Sequence, residues 1–179
     1  MPALSVPDGA AFYFYEPGGI AMREKKKVTF AEAAPLKATD YERFAQYYET
    51  DQMGIIHHSN YVRWMEEARV HVMEQIGFGY YKMENMGILC PVLGVSTEYK
   101  QMVRFNERVI VRCRIAEYTG LKLTMLYEIV KKDTGELCTL GETRHGFLDR
   151  EGRIISLKRN YPEIHQLILD SMILPEPEE

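Results

Sequence analysis

The chain has 179 residues, 46% of them hydrophobic and 27% charged, a balance that suits one globular domain with a sizeable core and excludes a disordered or fibrous chain. A net charge of -4 removes the overall positive field that nucleic acid or an anionic membrane would call for, so neither is expected as a partner. Cys90, Cys113 and Cys138 lie far apart with no CxxC pairing, which excludes a disulfide framework and a zinc knuckle and leaves them as reduced core residues.

The opening stretch "MPALSVPDGAAFYFYEPGGIAMREKKK" is rich in Pro, Gly and Ala, and its basic cluster follows its apolar stretch, the reverse of a secretory signal. Residues 1–35 therefore read as an N-terminal extension, with Met22 as an alternative start. Residues 41–48, dense in aromatics, predict a first strand that ends at a turn over 49–54. The period then changes. Tyr61, Trp64, Met65, Ala68, Val72 and Ile76 recur at three- and four-residue spacing, while Arg63, Glu66, Glu67 and Glu74 lie mainly off that stripe, which predicts an amphipathic helix over 61–76. Ser59 or Asn60 supplies its N-cap and Gly77 its stop. A second helical piece is predicted at 80–86. The apolar run at 87–95, interrupted by Pro91, is about half the roughly 18 residues a membrane helix needs. A cytoplasmic protein without a membrane span is expected.

Strands follow. Val109, Val111, Cys113 and Ile115 alternate with Ile110, Arg112, Arg114 and Ala116; after a "YTG" turn, Leu121, Leu123, Met125, Tyr127 and Ile129 continue at period two, so a hairpin is predicted. "KKDTGE" makes the next turn, 137–148 the next strand, and "DREG" precedes a short last strand at 154–157. With 87–101 counted, the order is one strand, a long helix, then four or five mostly antiparallel strands. A single apolar helix covers one sheet face, which implies an α+β hotdog arrangement: a long central helix wrapped by a curved sheet of five or six strands. The domain is assigned to 36–165, and 166–179 to a C-terminal tail.

The stretch "YYETDQMGIIHHSNYVRW" resembles the signature of the 4-hydroxybenzoyl-CoA thioesterase family of hotdog enzymes, commonly Y-x-D-T-D-x-x-G-x-x-Y-H-x-N-Y, and within it the bacterial short-chain acyl-CoA thioesterase branch associated with the Tol-Pal system. "EEAR", "VSTEYKQMVRFNERVIV" and "TRHGFLD" extend the likeness, in the same order, over roughly 38–160. The resemblance implies hydrolysis of an acyl-CoA to free acid and CoA with no metal or redox cofactor. It also implies a homodimer joined sheet edge to sheet edge, with dimers paired into tetramers in many relatives. Asp51 matches the essential carboxylate, nucleophile or base. His58 matches the position whose backbone N–H polarises the thioester carbonyl, and Tyr47 matches a tyrosine lining that site. Gly54, His57 and Asn60 are the substrate-binding candidates from the same motif. Glu49 replaces the usual Asp and His57 the usual Tyr, a change at the border of the acyl pocket.

The residue chemistry supports this reading. Thioester hydrolysis needs an ionised nucleophile or base and a stabiliser for the oxyanion. An aspartate meets the first need. A helix N-terminus meets the second through its free N–H groups and its macrodipole. Gly54 lets the loop turn sharply enough to bring the two together. Most loop aspartates are solvated turn residues, and Tyr47 alone is a packed aromatic with a hydrogen-bonded hydroxyl. The Asp-x-x-Gly-x-x-x-His spacing ahead of a patterned helix is what favours catalysis. Adjacent histidines tend to diverge, and no HExxH is present, so Asp51, His57 and His58 are not expected to hold zinc. His145 reads as structural. Arg104, Arg112, Arg114, Lys122 and Arg144 are available to a CoA phosphate, as are basic residues on any solvated sheet face. A hotdog dehydratase or hydratase and a non-catalytic acyl-CoA binding module are the alternatives.

Overall fold

In the computed structural model, which describes residues 27–173, the apolar stripe becomes the buried face of α1 (His58–Gln75). Trp64, Met65 and Ala68 are fully inaccessible there, while Glu66, Glu67 and Glu74 face solvent. The helix begins earlier than the spacing alone predicts. Its N-cap is His57, whose Nδ1 accepts the Ser59 N–H, because the Asn60 amide is drawn inward to donate to the Glu49 carbonyl at 2.8 Å. Gly77 ends the helix as expected, and α2 (Tyr80–Asn85) follows.

Among the described residues, six strands form one antiparallel sheet. β1 (Ala34–Pro35) and β2 (Tyr41–Phe44) both pair with β4 (Arg108–Tyr118); β4 pairs with β5 (Lys122–Lys131), β5 with β6 (Leu137–Gly146), and β6 with β3 (Val92–Tyr99). The predicted alternation is observed: Val109, Val111, Cys113 and Ile115 of β4 and Leu123, Met125, Tyr127 and Ile129 of β5 are buried in the core that α1 shares. Gly141 of β6 permits the closest approach of helix and sheet, since a Cβ there would stand 2.1 Å from the Met65 sulfur. β3 forms an open edge of the sheet and exposes Val92, Leu93, Val95 and Tyr99.

Several expectations change. The first strand stops at Phe44 and Tyr47–Glu49 forms a 3-10 turn, because the Glu49 carboxylate takes the Gln46 N–H at 2.7 Å and curls the chain. The predicted strand at 154–157 makes one bridge, between Leu148 and Ile154. Leu157 instead donates its N–H to the Gly120 carbonyl and opens the short helix α3 (Leu157–Asn160). A fourth helix, α4 (Pro162–Ser171), spans the boundary drawn at 165 and buries Ile164 and Ile168 in the core. Ahead of residue 36, β1 is hydrogen-bonded to β4 and Phe30 lies under the Arg114 guanidinium. Residues 1–26, with the Met22 start, and 174–179 lie outside the described residues. Among the described residues, no helix is long and apolar enough to cross a membrane.

One polar group is embedded in this core. His145 is 1% exposed; its Nε2 shares a 2.7 Å hydrogen bond with the Thr143 hydroxyl, which also meets the Tyr127 hydroxyl at 2.9 Å. Its Nδ1 has no hydrogen bond of good geometry. Burial, and then the nearby Arg69 charge, push its pKa down to about 4, and the Pro91 backbone offsets only part of this. Unfolded histidine titrates near 6.5, so below that pH the unfolded chain binds a proton that the folded protein refuses until about pH 4. Stability conferred by neutral His145 is therefore complete above pH 6.5 and declines as pH falls through that window. In thermal melts between about pH 7.5 and 4.5, wild type should lose more stability than His145→Gln; parallel profiles would show that the imidazole does not carry the effect.

Candidate active site

The candidate site is the loop between the 3-10 turn and α1, and Glu49 closes it from both sides. Its backbone carbonyl accepts the His57 N–H at 2.9 Å and the buried Asn60 amide at 2.8 Å, so the chain that leaves at Glu49 returns to it at the helix start. Its side chain is buried. The carboxylate accepts the Trp64 indole N–H at 2.8 Å, the Arg43 guanidinium at 2.8 Å and the Gln46 N–H. Arg43 in turn lies 4.8 Å from the Trp64 ring centroid. A buried carboxylate is tolerated because each of these donors offsets part of its lost hydration.

Between those closure points the loop is tight. Thr50 bridges Ile56, the Asp51 N–H donates to the Ile55 carbonyl at 2.9 Å, and the Gly54 N–H donates back to the Asp51 carbonyl at 3.0 Å. Gly54 has φ of 70°, the left-handed conformation that this turn requires and that glycine adopts without steric cost. One Asp51 carboxylate oxygen accepts the Met53 N–H at 2.8 Å. Among the described residues Asp51 has no cationic partner.

The loop and the first turn of α1 border an open cleft of about 590 Å3, with Tyr48, Glu49, Asp51, His57, Asn60 and Arg63 in its lining. Asp51, His57 and Asn60 are thus brought together. His58, Tyr47 and Gly54 adjoin the cleft without lining it. His58 is the first residue of α1; its carbonyl accepts the Tyr99 hydroxyl at 3.0 Å, and its N–H has no partner among the described residues. That N–H is one of the orphan donors at the positive end of the helix dipole. The His57 and His58 rings do not diverge: their centroids are 4.0 Å apart. Tyr47 is 75% exposed and packs edge-on against Phe105 rather than burying its ring. Tyr48, Met53 and Phe105 are also exposed. Among the described residues, no three His, Cys, Asp or Glu side chains are grouped to hold a metal ion.

Glu49 is the residue that sequence reasoning undervalues, treating it only as a substitution in a motif. The available signal was Trp64: a core indole needs an acceptor for its N–H.

A family model described as the thioesterase-like superfamily matches residues 46–174. The chain belongs to this superfamily. It is 36% identical over 121 residues to YneP of Bacillus subtilis, provisionally named an acyl-CoA thioesterase, across 67% of this chain and 87% of that protein. A protein of Aquifex aeolicus, provisionally named an esterase, is 34% identical over 124 residues, across 69% of this chain and 94% of its own. The crystal structure of a DHNA-CoA thioesterase from Staphylococcus aureus superposes with a TM-score of 0.70 at 34% identity, covering 74% of this chain and 89% of that one. The α+β architecture of this superfamily member is the hotdog fold.

Removing the Glu49 carboxylate should loosen the base of the loop. Glu49→Ala leaves the Trp64 N–H and one side of Arg43 unpaired in the interior, so urea unfolding should show a loss of about 3 kcal/mol. A loss below about 1 kcal/mol would mean that these contacts do not anchor the loop.

Proposed function

We propose that this superfamily member hydrolyses an acyl-CoA thioester to the free carboxylic acid and CoA, with Asp51 as its nucleophile or general base. The carrying observation is the tight loop that, among the described residues, holds Asp51 without a cationic partner and leads into a helix start whose first N–H has no partner. As nucleophile, the Asp51 carboxylate attacks the thioester carbonyl, CoA leaves as the thiolate, and water hydrolyses the resulting anhydride. As base, Asp51 takes a proton from the water that attacks directly. In either route the oxyanion lies at the His58 N–H, where a preorganised donor stabilises developing charge. Gly54 shapes the loop, His57 caps the helix, and Asn60 holds the Glu49 carbonyl; each acts on the bound thioester through position. Tyr47 stands at the rim, where the acyl group enters.

The names of the relatives support the reaction class. The resemblance of the motif to the 4-hydroxybenzoyl-CoA thioesterase family, and to its Tol-Pal-associated branch, makes short-chain acyl-CoAs one set of substrates to assay. The relative named for DHNA-CoA makes aromatic acyl-CoAs the other. A CoA thioester is an intracellular substrate, which supports a cytoplasmic location.

If Asp51 is the reacting carboxylate, Asp51→Asn keeps its shape and loses its charge and basicity, so kcat should fall on the order of a hundredfold or more while substrate still binds. His58→Ala should cost less, because the proposed donor is a backbone N–H that alanine retains. Coenzyme A release over a panel of aliphatic and aromatic acyl-CoAs measures both. Near-normal turnover by Asp51→Asn, on a substrate that wild type cleaves, would sink the mechanism.

We also propose a homodimer, which in the pattern of relatives is able to pair into a tetramer. The open edge at β3, with its exposed Val92, Leu93, Val95 and Tyr99, has the unpaired backbone and apolar surface through which sheets join edge to edge. Light scattering at micromolar concentration should give at least twice the 20.8 kDa of one chain; a monomer mass would overturn the proposal.

A further inference from the structure

Arg63 lines the same cleft as Asp51, one helical turn beyond Asn60 on the exposed side of α1. Among the described residues its guanidinium makes a single hydrogen bond, to the Asn60 side-chain oxygen at 3.4 Å, and no ion pair. Of the nearby arginines, Arg104 reaches the loop with one 3.5 Å bond to the Gly54 carbonyl, and two others are taken up by carboxylates or rings. Arg43 is shared between Glu49 and Glu67, and Arg69 is buried over the Tyr80 ring, 3.6 Å from Glu66. An arginine on a solvated helix face ordinarily needs no ligand. Arg63 differs in being steered. Asn60 is buried and its amide is held on the Glu49 carbonyl, so its oxygen presents a fixed acceptor to the Arg63 side chain in the cleft lining. Four guanidinium donors are left in a planar fork that suits a carboxylate or a phosphate.

We infer that Arg63 binds an anionic group of the thioester substrate as it enters the Asp51 cleft, either a phosphate of CoA or a carboxylate carried by the acyl chain. This rests on the thioesterase reading and assigns Arg63 to recognition rather than to chemistry. The contact is solvent-exposed, so its removal should cost roughly five- to twentyfold in affinity, not the larger loss of a buried pair.

The test is steady-state kinetics of wild type, Arg63→Gln and Arg63→Lys on benzoyl-CoA, succinyl-CoA and the N-acetylcysteamine thioesters of the same two acids, which lack the nucleotide and its phosphates. If a CoA phosphate is the ligand, Arg63→Gln raises KM for both CoA thioesters, spares both truncated ones, and acts on KM rather than kcat. If the ligand is an acyl carboxylate, KM rises for both succinyl thioesters and for neither benzoyl one. Arg63→Lys recovers part of the loss in either case, because it keeps the charge but not the planar fork. Unchanged KM on all four, or a fall in kcat with KM intact, overturns the inference. Should wild type cleave none of the four, the thioesterase reading fails by itself. Calorimetric titration of CoA and of succinyl-CoA into wild type and Arg63→Gln then decides: weaker binding by the variant upholds the contact, and equal binding of both overturns it.

Discussion

The geometry of the candidate site depends on one buried carboxylate. Glu49 sits where a strand, a loop and a helix must meet, and it has a use for every acceptor it owns. Its backbone oxygen closes the loop onto the helix start, and its side chain ties the loop base to Trp64 and Arg43. A carboxylate so buried is costly to place without partners. Each partner is therefore also a geometric constraint, and the Asp51 loop inherits its position from them. The same contacts decide where α1 begins, since Asn60 and His57 both answer to the Glu49 carbonyl.

The core lets that junction stay rigid. Trp64 reaches Glu49 only because its ring is packed in the centre of the domain, between the sheet and α1, and Met65 is seated against the bare backbone of Gly141. Packing at that density leaves few alternative positions for the helix, so its N-terminus cannot drift from the loop without opening the core. Stability and site geometry are in this way a single property of the first three turns of α1.

Much of this was legible in the residue pattern, and the parts that were not share a cause. The stripe from Tyr61 to Ile76 and the alternation at Val109 to Ile115 are local periodicities imposed by burial on one face, so they identify the helix and the hairpins directly. The Asp51 loop was legible as a motif. The role of Glu49 was hidden because its donors come from Arg43 and from Trp64, fifteen residues on, and no local period joins them. At the C-terminal end, "RIISL" has the composition of a strand, yet the Ser156 N–H is taken by the Asn160 side chain and the Leu157 N–H by Gly120, which turns the backbone helical. α4 escaped notice because its buried face shows chiefly as Ile164 and Ile168, too few turns to establish a period.

Two acidic residues, two positions apart, meet opposite fates in this loop, and the difference bears on the reactivity we propose for one of them. Glu49 is enclosed, and Arg43 together with the Trp64 and Gln46 N–H groups absorbs its charge. Asp51 lines the cleft with one oxygen on the Met53 N–H and, among the described residues, no ion-pair partner. A carboxylate locked to an arginine is a poor nucleophile and a poor base, because attack or proton uptake would have to break the pair first. Arg43 is held instead on Glu49 and Glu67. Arg63, which lines the same cleft, has no ion pair among the described residues, which leaves its charge to the arriving anion we infer for it.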